Sequence, residues 1–317
     1  MLLLCGKHVF FMENIAVLIP CYNEEKTIAA VICDFKSILP NAAIYVYDND
    51  STDNTVQEAL NAGAIVRTVR QKGKGNVVRR MFYEVDAACY IIVDGDSTYD
   101  AKEAPKLINK VMLEGYDMAV GDRLSSTYFK ENTRMFHGLG NRLVKSVINA
   151  VFRTDVSDVM TGYRAFSHRF VKTFPVLVSG FEIETEMTIH AADKNLYVTS
   201  IPVKYKERKN PEDSKVSTIK DGIKILTTIF RLIKDYSPFF FFTCIAIIAF
   251  ALAVSFFIPV FIDFLNTGEV LRFPTLIVCC FVALLAAQFF IAGIILQSLR
   301  RKAKEDFELR LLAFKEK

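Results

Sequence analysis

The chain has 317 residues, of which 52% are hydrophobic, and its formal net charge at pH 7 is +4. This apolar content is too high for an ordinary soluble protein and predicts a part that lies in a membrane. The small net charge does not indicate nucleic-acid binding, so no nucleic-acid partner is expected. Four scattered histidines make a histidine metal site unexpected, and seven cysteines without paired spacing are expected to be reduced.

Residues 1–13 are predicted to be an N-terminal extension. They contain the apolar stretch MLLLCGKHVFF ahead of a second methionine, Met12. The stretch is too short to cross a bilayer, and it has no small-residue cleavage site. We therefore expect a loose extension rather than a signal peptide.

Residues 14–215 are predicted to form one α/β domain. Apolar runs alternate with segments of helical spacing, and the runs predicted as strands are IAVLIP, AIYVYD, AIVRTV, CYIIVD and DMAVGD. This alternation predicts a Rossmann-like, mainly parallel sheet covered by helices. Such sheets bind ligands beyond the carboxyl ends of their strands, where the polar segments PCYNE, DNDSTD and DGDS occur. Residues 122–215 show fewer clear strands and are expected to form the acceptor half of the domain.

Residues 216–237 are predicted to form an amphipathic helix at the membrane surface. Its apolar residues share one helical face, and basic residues surround them; the apolar set is Ile219, Ile223, Leu226, Phe230 and Ile233. The alternative is an amphipathic helix packed on the domain core. The interfacial position is favoured because an apolar span follows directly.

Residues 238–298 are predicted to contain two transmembrane helices, at 238–262 and 273–297. Phe239–Ile262 and Phe273–Gln297 contain no charged residue. About 24 residues give roughly 36 Å of helix, which is enough to cross a bilayer. Basic residues flank the outer ends of the pair, which predicts a multi-pass protein of the cytoplasmic (inner) membrane with the large domain and both termini in the cytoplasm. The basic tail, 299–317, is expected to hold a short amphipathic helix.

The run CYIIVD leads into two aspartates, Asp94 and Asp96, separated by Gly95. Alternation along a strand would put both carboxylates on one side, where they repel each other unless a cation neutralises them. Mg²⁺ or Mn²⁺ would suit this role, because both prefer oxygen ligands and often hold substrate phosphates. Gly95 would leave room for a phosphate. A turn of solvated acids is the alternative, and the triplet alone does not decide between them.

Six segments in this order resemble family 2 glycosyltransferases of the GT-A fold: LIPCYNEE (18–25), YDNDSTDNT (47–55), KGKGNVVR (72–79), VDGDS (93–97), GDR (121–123) and DVMTGYRAF (158–166). Within the family, the chain is most similar to membrane-bound polyprenyl-phosphate glycosyltransferases, relatives of dolichol-phosphate mannose synthase. Two trailing membrane helices fit that subgroup. The resemblance implies a D-x-D metal site at Asp94 and Asp96 that holds Mg²⁺ or Mn²⁺.

The resemblance also implies which residues bind the nucleotide-sugar donor: Pro20, Tyr22, Glu24, Asp48, Asn49, Lys74, Asp94 and Glu182. A tyrosine ring can stack on a base, and a carboxylate can accept hydrogen bonds from base N–H groups or ribose hydroxyls. The family commonly has an acid in place of Asn49, and the mannose synthases have a glutamine in place of Thr98. Glu182 is favoured over its neighbours Glu184 and Glu186.

The acceptor phosphate needs cations, and the planar fork of arginine suits a phosphate. The resemblance implies that Arg123 and Arg134 contact this phosphate, and that Arg142, Arg208 and Lys215 lie near it. The predicted catalytic set is Asp96, Asp158, Arg123 and Arg134. Surface charges are the alternative for the arginines, and a helix cap is the alternative for Asp158.

The implied reaction is the metal-dependent, inverting transfer of a sugar from a nucleotide sugar, preferably a UDP-sugar, to undecaprenyl or dolichyl phosphate, in cell-wall or lipopolysaccharide biosynthesis. The alternatives are a non-catalytic membrane scaffold that binds nucleotide sugars and a glycosyltransferase with a different acceptor. A processive polysaccharide synthase is disfavoured, because the chain has no tryptophan for the Q-x-x-R-W motif of those enzymes. Two spans also suggest a homo-oligomer, either a dimer or a tetramer.

Overall fold

The computed structural model describes residues 14–123, 146, 158–180, 182–206, 230–231 and 233–315. The chain divides into two compact units, Met1–Thr218 and Ile219–Lys317. The predicted N-terminal extension lies outside the described residues, as does most of the predicted interfacial helix, of which 230–231 and 233–236 are helical. The interfacial position of that helix, like the other predicted domain boundaries, stays a prediction.

The first unit is built on a mixed sheet with the strand order β3-β2-β1-β4-β6-β5-β7. The described strands are β1 (Ile15–Cys21), β2 (Ala43–Asp48), β3 (Ile65–Thr68), β4 (Cys89–Ile92), β5 (Met118–Asp122), β6 (Arg164–Ser167) and β7 (Val198–Pro202). Neighbours pair in parallel except at β6, which runs antiparallel to β4 and β5. The predicted Rossmann-like, mainly parallel sheet is confirmed, and the carboxyl ends of β1, β2, β4 and β5 point to one edge.

Helices cover both faces of this sheet and create two hydrophobic cores. The helices are α1 (Ile28–Ile38), α2 (Thr55–Asn61), α3 (Lys74–Glu84), α4 (Ala104–Met112), α5 (His168–Thr173) and α6 (Ile183–Asp193). One core contains residues of α1, α2 and α4, and the other contains residues of α3, α5 and α6. Along β1, Val17 and Ile19 enter the first core, whereas Ala16 and Leu18 enter the second. Burial on both faces explains why β1 and β4 are continuous apolar runs.

The sequence pattern did not predict β6 and β7, which are short and partly polar. Their attachment depends on Asp117, which is 1% exposed at the start of β5. Its carboxylate accepts hydrogen bonds from Ser167 Oγ at 3.1 Å, from Arg169 Nε at 2.8 Å and from the Tyr197 amide at 3.0 Å. One buried acid therefore joins β5 to the end of β6, to α5 and to the start of β7.

The second unit is a hairpin of two long apolar helices, α7 (Pro238–Thr267) and α8 (Phe273–Lys315). Their length and composition would allow both to cross a membrane. The helices pack through small residues at seven-residue spacing, with Ala246 and Ala253 buried on α7 and Cys279 and Ala286 on α8. Next in that series, a Cβ on Gly293 would lie 3.2 Å from Phe242 Cβ. Such spacing lets two helix backbones approach closely in an apolar solvent.

The expected short helix in the basic tail is not a separate element. Residues 299–315 continue α8 without a break. This segment contains no glycine or proline, so its sequence has no residue that would break the helix.

Replacing Asp117 with alanine should destabilise the first unit. Hydrogen bonds to a charged group contribute roughly 1.5–3 kcal/mol, so we expect the melting temperature of the full chain in detergent to fall by roughly 5–10 °C. Asp86→Ala removes a carboxylate that is 79% exposed, and this control should change the melting temperature by less than about 2 °C. Equal melting of the two variants would contradict the proposed joining role.

Candidate functional site

Three strand ends bring a cluster of four carboxylates to one edge of the sheet. Glu24 follows β1, Asp48 ends β2, and Asp94 and Asp96 follow β4. The thiol of Cys21 lies among them: burial raises its pKa well above the ordinary value, and the charges of these four acids raise it further. The cysteine therefore stays protonated and is a structural residue of this edge.

Lys74 places a buried cation inside this negative region. Its ammonium lies 2.5 Å from Asp94 Oδ1 and 2.6 Å from Glu184 Oε1, and its side chain is only 10% exposed. Burial alone would lower the pKa of Lys74, but the charges of Asp94 and Glu184 outweigh burial and raise the pKa. The lysine is therefore charged, and it joins the start of α3 to the end of β4 and to α6.

Glycines set the position of Asp94 and of the strand end that carries it. A Cβ on Gly162, in the DVMTGYRAF segment, would lie 2.3 Å from Asp94 Oδ2, so only glycine fits there. A Cβ on Gly95 would lie 2.6 Å from Cys21 Sγ. Packing against the end of β1 therefore requires Gly95, and the expectation that it leaves room for a phosphate stays a prediction.

Asp96 is held by the residue two positions further along the chain. Its Oδ1 accepts hydrogen bonds from the Thr98 hydroxyl at 2.6 Å and from the Thr98 amide at 3.2 Å. The chain already turns here, because β4 ends at Ile92 and Ser97 has a positive φ of 59°. A turn, rather than strand alternation, therefore orients the two aspartates.

The donor set at this edge fits a divalent cation such as Mg²⁺ or Mn²⁺. It consists of carboxylate and hydroxyl oxygens, which are the ligands these hard ions prefer. Among the described residues, no group of three or more acidic, histidine or cysteine side chains surrounds a single point. Asp94 and Asp96 would therefore supply a minority of the ligands, as is usual for Mg²⁺ sites that also take water and substrate phosphates.

The predicted base and ribose contacts lie at the ends of β1 and β2. Pro20 is half-buried in β1, and Tyr22 is 40% exposed with the Lys72 ammonium 4.6 Å from its ring centroid. Asp48 is buried; Oδ2 accepts from the Ser51 amide at 3.0 Å, whereas Oδ1 has no hydrogen-bond partner in the described part of the chain. An unsatisfied buried acceptor is uncommon and marks a place where a ligand donor would be favourable.

Asn49 acts as a clamp on the loop between β3 and α3. Its amide nitrogen donates to Val69 O at 2.9 Å and to Gln71 O at 2.8 Å, while its amide oxygen accepts from the Gly73 amide at 2.7 Å. An aspartate could not donate these two bonds. The side chain thus holds the loop that precedes Lys74, which explains the departure from the acid common in the family.

The two glycines of the KGKG segment allow the backbone at Val178 and Ser179 to approach closely. Gly73 has a φ of 117°, and a Cβ there would lie 2.2 Å from Ser179 O. A Cβ on Gly75 would lie 2.1 Å from Val178 O, and its amide donates to Ser179 O at 2.9 Å. These contacts fix the start of α3, and with it Lys74, against the segment that leads into α6.

Arg123 and Asp158 form a buried ion pair at the end of β5. Arg123 Nε donates to Asp158 Oδ2 at 2.7 Å and Nη2 donates to Oδ1 at 3.1 Å, in a bidentate arrangement. Asp158 is fully buried, and its Oδ1 also accepts from the Met160 amide. The Arg123 guanidinium lies 5.4 Å from the Tyr205 ring centroid. These contacts favour a positioning role for Asp158 over the predicted catalytic one.

Arg164 is a second buried guanidinium, but its partners are mainly backbone oxygens. It donates to Thr161 O and Val159 O at 2.9 and 2.7 Å, and to the Thr188 hydroxyl at 2.8 Å. Burial lowers the pKa of Arg164 to about 10, so it stays protonated near neutral pH. Arg164 therefore shapes the loop that contains Gly162.

Several predicted residues are not brought to this cluster by the described structure. Arg134, Arg142, Arg208 and Lys215 lie outside the described residues. Glu182 precedes α6, where a Cβ on Gly180 would lie 2.4 Å from its Oε2. In this segment Glu184 contacts Lys74 at 2.6 Å, and the donor-binding role of Glu182 stays a prediction.

A family model described as glycosyl transferase family 2 matches residues 16–174. The chain belongs to this family. Its sheet, with the antiparallel β6 between β4 and β5, has the GT-A arrangement, and the catalytic class is that of a glycosyltransferase.

Of three similar proteins, two are described as sugar transferases. Glycosyltransferase AglJ of Haloferax volcanii is 34% identical over 231 residues, 73% of this chain and 75% of that protein. Protein RfbJ of Shigella flexneri is 62% identical over 110 residues, 35% of this chain and 85% of that protein. A dolichyl-phosphate hexose transferase of Haloferax volcanii is 25% identical over 223 residues, 70% of this chain and 95% of that protein.

Glucosyl-3-phosphoglycerate synthase from Mycobacterium tuberculosis, in a crystal structure with Mn²⁺, UDP and glucosyl-3-phosphoglycerate, shares the fold. The TM-score is 0.57 with 20% identity, over 70% of this chain and 79% of that one. This likeness shows the fold alone.

Asn49→Asp should loosen the loop between β3 and α3. The new carboxylate would face the carbonyl oxygens of Val69 and Gln71 without donors. An unsatisfied buried polar group costs about 1–3 kcal/mol, so amide hydrogen exchange over residues 69–76 should accelerate roughly tenfold. Asn61→Asp, the same change at an exposed position that ends α2, is the control. Unchanged exchange in Asn49→Asp would show that the clamp contributes nothing.

Proposed function

We propose that the protein transfers a sugar from a nucleotide sugar, preferably a UDP-sugar, to a polyprenyl phosphate, with inversion at the anomeric carbon. The observation that carries the proposal is the position of Asp94 and Asp96 at the carboxyl edge of the sheet in a family 2 glycosyltransferase, with Lys74 paired to Asp94. The choice of UDP is supported by the synthase of the same fold, whose crystal structure contains UDP and Mn²⁺.

A polyprenyl-phosphate acceptor is supported by two observations. One relative is described as a dolichyl-phosphate hexose transferase, and the chain ends in two helices long and apolar enough to span a membrane. A prenyl chain cannot leave the bilayer, so an enzyme that uses it has to work at the membrane. The distribution of basic residues supports a cytoplasmic position for the first unit and both termini.

The donor would lie along the ends of β1 and β2. Tyr22 offers a ring for stacking on the base, and Asp48 Oδ1 offers an acceptor for a base or ribose donor. Glu24, whose Oε2 accepts from Thr27 Oγ1 at 3.2 Å, borders the same region. Asn49 would act indirectly, through the loop that it clamps.

A divalent cation would be held by Asp94 and Asp96 and would stabilise negative charge on the departing diphosphate. Lys74 would add a second positive charge on the same side of the donor. Arg123, oriented by Asp158 and exposed over 16% of its side chain, is placed to bind an anionic acceptor and to align it.

The chemical step balances without a strong base. A phosphate oxygen of the acceptor forms a bond to the anomeric carbon, while the bond from that carbon to the diphosphate oxygen breaks and its electron pair leaves with the nucleoside diphosphate. The second pKa of a phosphate monoester is about 6, so the attacking oxygen is already anionic near neutral pH. This agrees with a cluster that contains no described histidine.

Asp96→Asn tests the proposal. The substitution keeps the shape of the side chain and removes a charged ligand, so sugar transfer to undecaprenyl phosphate should fall roughly 100-fold or more. Transfer is measured with a panel of radiolabelled nucleotide sugars, and Mn²⁺ binding with UDP is measured in parallel. Asp34→Asn, at an exposed position of α1, should keep the wild-type rate.

Three results would overturn the proposal. Wild-type transfer rates in Asp96→Asn would remove the metal site from the mechanism. A native protein that binds nucleotide sugars but transfers none of them would favour the non-catalytic membrane scaffold, and transfer only to water-soluble sugars would favour a different acceptor.

A further inference from the structure

The side chain of Lys74 is paired with Asp94, one of the two aspartates proposed to hold the metal ion. Its ammonium contacts Asp94 Oδ1 at 2.5 Å. The other carboxylate oxygen, Oδ2, faces the backbone at Gly162, where even a methyl group would come within 2.3 Å. The carboxylate is thus enclosed between a cation and a backbone segment, and a divalent ion that approaches Asp94 meets the charge of Lys74.

Glu184 gives this lysine a second partner that does not belong to the strand ends. It lies in the first turn of α6, is 5% exposed and contacts the ammonium at 2.6 Å. If Lys74 leaves Asp94, Glu184 still compensates its charge inside the protein. The lysine can therefore change its contact with Asp94 without becoming an unpaired buried charge, which would be costly.

A nucleoside diphosphate would replace the contact that Lys74 loses when it moves away from Asp94. Its phosphate oxygens are strong acceptors for an ammonium, and their negative charge offsets the repulsion between Lys74 and a divalent ion. Without the diphosphate, the ion competes with a resident cation for Asp94. With the diphosphate bound, its phosphate oxygens and Asp94 together would compensate the charges of both Lys74 and the divalent ion.

We propose that Lys74, retained by Glu184, is a resident cation of the Asp94 site and makes the binding of a divalent metal ion depend on the nucleoside diphosphate. The inference rests on the proposed metal site. It predicts that Mn²⁺ binds weakly to the protein alone, and that UDP raises the affinity for Mn²⁺. By thermodynamic reciprocity, Mn²⁺ raises the affinity for UDP by the same factor.

The test uses the full chain in detergent and Mn²⁺ as the probe, with bound ion measured by electron paramagnetic resonance. Lys74→Met removes the resident cation, and Lys74→Met with Glu184→Gln removes it without leaving Glu184 as an unpaired buried carboxylate. Lys72→Met is the matched control, because it removes the same charge from the same loop, from an ammonium that pairs with the exposed Asp50.

We expect both Lys74 variants to bind Mn²⁺ without nucleotide roughly tenfold more tightly than the native protein, and Lys72→Met to differ by less than about threefold. In the native protein UDP should raise Mn²⁺ affinity by at least about fivefold, after correction for Mn²⁺ bound to UDP in solution, and this gain should shrink in the double variant. Circular dichroism identifies any variant that does not fold.

The outcomes separate this inference from the proposed function. If the double variant is folded and binds nucleotide-free Mn²⁺ no more tightly than the native protein, Lys74 is only a structural ion-pair partner and the inference is wrong. If the native protein binds no Mn²⁺ even with UDP, the proposed metal site itself fails. An equal gain from UDP in the native protein and the double variant would also overturn the coupling while leaving the metal site intact.

Discussion

The first unit depends on one electrostatic constraint, which is the accumulation of carboxylates where parallel strands end. Glu24, Asp48, Asp94 and Asp96 follow or end three neighbouring strands, and such a concentration of like charge is unfavourable unless cations lie within it. Lys74 provides one such cation, since its ammonium lies 2.5 Å from Asp94 Oδ1 and 2.6 Å from Glu184 Oε1. The same constraint leaves an edge that favours cations, and it is therefore suited to a ligand that brings a metal ion and phosphates.

Holding these acids together requires unusual backbone conformations. Asn23, Asp50 and Ser97 have positive φ angles of 56°, 61° and 59°, and each lies just beyond one of the strands β1, β2 and β4. Such conformations are uncommon for residues with a side chain and tend to occur at functional sites, where surrounding contacts enforce them. Here Asn23 binds the loop after β2, since its Oδ1 accepts from the Thr52 amide at 2.9 Å. The turns after β1 and β2 are thus coupled to each other.

The sequence predicted the parallel part of the fold because strands buried on both faces are continuous apolar runs. It did not predict β6, which begins with the buried Arg164, because a charged residue in a four-residue strand gives no apolar pattern. The aspartates and Lys74 could be selected from their motifs. The residues that contact them could not be predicted. Glu184 is one of three alternating acids, which the sequence alone does not distinguish. The roles of Asn49, Gly95 and Gly162 depend on which distant loop lies against each of them.

Arg164, Arg123 and Lys74 are largely buried cations, and they differ in which of their contacts a ligand could replace. Arg164 is bound largely by backbone carbonyl groups, which remain in place whatever occupies the edge. Arg123 is held by both oxygens of the fully buried Asp158, so its orientation is fixed before an acceptor arrives. Lys74 alone of the three shares a carboxylate that is itself a candidate metal ligand, and that carboxylate is 28% exposed. Its contacts can therefore be exchanged for those of an incoming diphosphate, whereas the two arginines provide a fixed frame around it.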